Sequence, residues 1–114
     1  MPVSQGTGGG MPGMGLKAWA LVTSAGVIVK SFNVSAYAAT ADGAGYRKVT
    51  FATPMTTLNY LARWTPMGVA GMSLPVAGYI NTSKPKNLAD CVVTMGQGSA
   101  GNVLDPGGLW EFYE

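Results

Sequence analysis

Hydrolysis and group transfer need a base, an acid, a nucleophile or a metal with its ligands, and this chain has no histidine and a single cysteine in 114 residues. Cys91 has no imidazole to draw off its proton. Alternation along Ala89-Asp90-Cys91-Val92-Val93 puts it on the same face as Ala89, Val93 and Met95, the setting of a buried and inert thiol. The carboxylates are Asp42, Asp90, Asp105, Glu111 and Glu114. Asp42 and Asp105 stand beside glycine or proline, where an aspartate side chain commonly accepts from the amides that follow it. Glu111 alternates with Trp110 and Phe112 and so belongs to a solvated face. Gly10-x4-Gly15 has the glycine spacing of a phosphate loop, but Leu16 stands where that loop carries lysine. The expectation is a chain without catalysis, metal or cofactor, with a small hydrolytic enzyme as the contrasting class.

The elements that would hold any site are short. Apolar residues make up 47% of the chain and charged residues 11%, the latter against about 25% in an average soluble domain, so the surface is built largely from small and neutral residues. Such a surface suits a chain partly covered by its own copies or by an assembly. The net charge is +2, and the basic groups at Arg47-Lys48 and Lys84-x-Lys86 are far apart in sequence. This is not the clustered footprint of nucleic-acid binding. Lys17 interrupts the first apolar stretch before it reaches a membrane-spanning length, so neither a secretory segment nor membrane insertion is expected.

From Leu16 onward, apolar runs alternate with turn residues. Candidate strands cover 16–22, 27–32, 35–40, 48–53, 57–64, 69–72, 76–80, 89–95 and 109–113, with 96–102 and 105–108 as loops. About 7–9 short strands without a capped amphipathic helix predict an all-β domain, an antiparallel sandwich or barrel, over residues 16–114. Residues 1–15 hold six glycines, two prolines and no charge. They read as a flexible Gly/Pro-rich arm whose apolar anchors would be Val3, Met11 and Met14. The expected core aromatics include Trp19, Trp64, Trp110, Phe32, Phe51 and Tyr60, whereas Tyr37, Tyr79 and Tyr113 are candidates for stacking on a sugar.

The ordered set Lys17-Ala18-Trp19, a hairpin, Ser31-Phe32-Asn33-Val34-Ser35, a glycine-containing turn, Val49-x-Phe51-x-Thr53-Pro54-Met55 and Asn59-Tyr60 resembles a small β module of tailed-bacteriophage fibre and virion-surface proteins. The resemblance covers roughly residues 16–62, and Asp105-Pro106 with the apolar strand after it is loosely similar to the module's end. It implies a domain without enzymatic activity, often assembled as a homotrimer, with Trp19, Phe32, Val49, Phe51 and Tyr60 as core positions and Pro54-Met55 as a strand-ending corner. The module's Tyr-x-Val-x-Phe order is one residue longer here, at Tyr46-Arg47-Lys48-Val49, and a bulge is the expected accommodation. The function implied is that of a capsid decoration or head-fibre protein on the virion exterior, assembled in the host cytoplasm and joined by its arm to the major capsid protein or another virion protein. The alternative is a tail-associated or tail-fibre receptor-binding protein, with a host-surface glycan as a possible partner.

Overall fold

The computed structural model describes residues 13–42, 45–67, 76–97, 102–103 and 107–114. They form an all-β domain of antiparallel strands in two sheets. The strands are β1 (Leu16–Val22), β2 (Ile28–Phe32), β3 (Val34–Ala39), β4 (Tyr46–Phe51), β5 (Leu61–Pro66), β6 (Val76–Ile80), β7 (Asp90–Gln97), the two-residue β8 (Asn102–Val103) and β9 (Gly108–Tyr113). One sheet has the order β2-β1-β9-β5 and the other β3-β4-β7-β6, with β8 added on β7. Most strands lie within two residues of their expected positions. Two differences are larger: the fifth strand starts at Leu61 rather than Thr57, and β8 begins in a stretch expected to be loop. The expected strand at 69–72 lies outside the described residues.

The core fills the space between the sheets. Val49, Phe51 and Tyr60 are buried there as expected, with Cys91, Val93, Met95, Trp110 and Phe112. Phe51 meets Tyr60 and Phe112 edge to face, at 5.5 and 5.1 Å between centroids, the geometry that aromatic quadrupoles favour. Met55 at the Pro54-Met55 corner is also buried, and its amide donates to the Leu88 carbonyl at 2.8 Å.

Trp19 and Phe32 are not core residues. On β1 the inward positions belong to Ala18, Ala20 and Val22, all fully buried, while Phe32 is 56% exposed. The register explains the exchange: Ala20 pairs with Trp110 and Ala18 with Phe112 across β1 and β9. The rings of β9 already fill the interior at those rows, so small residues fit beside them, and Trp19 takes the outer face opposite Phe32.

β2 runs into β3 through one residue, which carries the chain from the first sheet to the second. Asn33 has φ 57°, a left-handed conformation that asparagine tolerates better than most residues. Its Nδ2 donates to the carbonyls of Lys17 and Thr53, and its Oδ1 accepts from the Thr53 amide at 2.6 Å. The first sheet's β1 and the corner after β4 are thereby tied to the crossing point.

The bulge expected near Tyr46 is absent from β4, whose ladder with β7 runs unbroken from Tyr46 to Thr50. The irregularity lies on the neighbouring β3, between Val34 and Ala36. Because β4 stays regular, Tyr46 faces outward with Lys48 and Thr50, and Arg47 shares the inward parity of Val49 and Phe51. Arg47 stacks its guanidinium on the Tyr37 ring at 5.5 Å and lies against Gly26, in the turn between β1 and β2. A side chain at Gly26 would collide with it. On the β5–β6 side, the Trp64 ring packs on the backbone of Gly78, where no Cβ would fit.

Candidate functional site

The outer face of the first sheet concentrates apolar side chains that a lone subunit leaves in contact with water. Register pairs place three rows across it. Phe32, Trp19, Glu111 and Arg63 lie side by side on β2, β1, β9 and β5; Lys30, Leu21, Leu109 and Thr65 form the row on one side; Leu16, Tyr113 and Leu61 form the row on the other. Leu16 is 44% exposed and Leu61 49%, while Trp19, Leu21 and Leu109 are half-buried. Beside this face, Leu16, Lys17, Phe32, Asn33 and Thr53 line an open groove of about 560 Å³. The polar side-chain atoms of Asn33 in its lining are already committed to the chain crossing.

The centre of the face is polar but internally matched. Arg63 donates from Nε and Nη2 to Glu111 Oε1 at 3.2 and 3.0 Å, and Nη2 also reaches the Tyr113 hydroxyl. Tyr113 in turn donates to Glu111 Oε2 at 3.2 Å and lies under the Arg63 guanidinium. The hydrogen bond to Glu111 raises the pKa of Arg63, while burial and then the Glu111 carboxylate raise that of Tyr113. Both oxygens of Glu111 therefore serve this network, and its side chain is 14% exposed rather than solvated. Such an arrangement ties two neighbouring strands together and matches charge at the centre of the face.

Other chemistry-bearing residues among those described are similarly engaged. Cys91 is fully buried, and burial pushes its thiol up to about 12, as expected for an inert cysteine. Burial also raises the pKa of Tyr60, whose hydroxyl reaches the carbonyls of Asn87 at 2.7 Å and Asp90 at 3.1 Å. Asp42 accepts from Thr40 and Lys84 rather than serving only its own turn, Asp90 pairs with Lys48 at 3.7 Å, and Glu114 accepts from the amides of Thr56 and Thr57. Lys86 donates to the Tyr60 carbonyl and lies over its ring. Among the described residues no three His, Cys, Asp or Glu side chains group as metal ligands, and no helix is long and apolar enough to cross a membrane.

Of the expected attachment anchors, Val3 and Met11 lie outside the described residues, as does Asp105, and Met14 is half-buried. Gly15 exchanges backbone hydrogen bonds with Glu114, at 3.0 and 3.1 Å, so the β pairing extends one residue before the expected domain boundary. Tyr37 and Tyr113 are buried rather than free for stacking, whereas Tyr79 is 52% exposed. The Arg63–Glu111–Tyr113 network has no sequence signature because its members come from two strands distant in sequence; the only available signal was their common outward parity. Comparison with family models, with curated proteins and with solved structures gives no match.

Proposed function

We propose that the protein is a non-enzymatic structural subunit of a bacteriophage virion, a capsid decoration or head-fibre protein that self-associates and attaches to the particle exterior. The observation that carries this reading is the apolar outer face around Trp19 and Phe32, supported by the sequence resemblance to virion-surface modules. Burial of that face by a second copy or by a capsid protein removes large apolar groups from water. The chain enters β1 at Gly15, next to Leu16 and the rim of the groove. An N-terminal arm leaving there starts beside the same face, and both can serve one attachment.

Electron microscopy of the virion with the subunit labelled tests the proposal. Copies arrayed over the capsid lattice are the expected result. Label confined to the tail overturns the decoration reading in favour of a receptor-binding subunit, and label absent from the particle overturns both.

A further inference from the structure

On the other side of the molecule, the outer face of the second sheet brings two tyrosines together. Tyr46 on β4 and Tyr79 on β6 are both register partners of Thr94 on β7, so all three project from the same face of adjacent strands. Tyr79 is 52% exposed, Tyr46 is half-buried, and Thr94 between them is 4% exposed. The two backbone positions are two strand spacings apart, about 10 Å. Thr94 Oγ1 accepts from Asn81 Nδ2 at 3.0 Å, and Asn81 Oδ1 accepts from the amide and hydroxyl of Ser83. The floor and one border of the site are thus uncharged hydrogen-bonding groups held in place.

The charges nearby are matched. Lys84, within electrostatic reach of Tyr46, is paired with Asp42, and Lys48 on the same face is paired with Asp90. An anionic ligand would have to displace those carboxylates. A neutral ligand with apolar C–H faces and hydroxyl edges would not.

We propose that Tyr46 and Tyr79, flanking Thr94, form a platform for a neutral, extended β-linked saccharide. Sugar rings pack their C–H faces on the electron-rich faces of aromatic rings, and two strand spacings match the separation of alternate hexose units in an extended β-linked chain. The unit between would lie over Thr94, with Asn81 and Ser83 along its hydroxyl edge. This site is on the opposite sheet from the apolar docking face, so it functions on an isolated subunit and does not depend on the assembly reading.

NMR titration of the full chain with cellohexaose and with chitohexaose is the test. At least one should give saturable shifts centred on Tyr46, Tyr79 and Thr94. Tyr79→Ala should weaken that binding at least tenfold without changing the melting temperature, because the side chain is exposed, and Tyr79→Trp should retain it. Absence of saturable shifts with both sugars overturns the proposal, as do shifts that survive Tyr79→Ala unchanged. Binding of heparin at these residues that outcompetes the neutral sugars and disappears with added salt also overturns it, by making the site anion-selective.

Discussion

At the scale of single residues, burial decides what a reactive group can do. Cys91 is enclosed, and its raised pKa of about 12 keeps the sulfur protonated at neutral pH. An aromatic disulfide reagent at pH 8 should leave the folded protein unmodified and should label one thiol once denaturant unfolds it; rapid labelling of the native protein would contradict the burial. Phe51 illustrates the same enclosure without chemistry. Its ring sits between Tyr60 and Phe112, and Phe51→Ala should destabilise the domain by about 3–5 kcal/mol through lost transfer energy and a residual cavity. Denaturant melts measure this directly. The burial of Val49, Phe51 and Cys91 was legible in sequence because each sits in a β-branched or aromatic run with clear alternation. Trp19 and Phe32 were not, because alternation separates two faces without saying which is inside.

At the scale of elements, two local devices set how strands meet. Asn33 turns β2 into β3, with a left-handed backbone and three side-chain hydrogen bonds. Asn33→Ala loses the bonds and strains the backbone, with an expected cost of about 2–4 kcal/mol. Asn33→Gly loses the bonds but relieves the strain and should cost about 1 kcal/mol less. Equal losses in thermal or denaturant melts would show that the conformation is unstrained. The second device is Glu114, which caps the amides of Thr56 and Thr57. Desolvation opposes its ionisation, but those amides and the charge of Lys17 outweigh it, and its pKa falls below the ordinary 4.5. A lowered folded-state value means that the stabilisation is complete above pH 4.5 and is lost as pH falls through the folded pKa. Stability should therefore decline below pH 4.5, and Glu114→Gln should decline less steeply over that range. Asp42, lowered below 3.8 mainly by its hydrogen bond from Lys84, adds to the loss at the acid end.

For the whole molecule, the decisive feature is the contrast between two outer faces, one apolar around Trp19 and Phe32, the other polar and aromatic around Thr94. Closed association through the first face would cover its apolar rows without leaving a growing end. Light scattering coupled to size exclusion should give about three masses of the 11.7 kDa chain. Phe32→Ser should return the protein to a single chain mass while changing subunit stability by less than about 0.5 kcal/mol, because Phe32 is already exposed in the subunit. A wild-type protein that runs as a monomer at micromolar concentration would refute self-association.

Sequence alone determined the all-β class, the approximate places of most strands, the corner at Pro54-Met55 and the absence of any imidazole, because period-two alternation, proline and the residue inventory are local properties. Tertiary structure decided which face of β1 turns inward, since Ala18 and Ala20 oppose the bulky Trp110 and Phe112 only in this register. It also decided that Tyr46 points outward, because the irregularity fell on β3 rather than β4. The pairing of Arg63 with Glu111, and of Tyr46 and Tyr79 with Thr94, likewise required the fold. Each joins strands far apart in the chain, and no spacing within a strand encodes which distant partner will lie beside it.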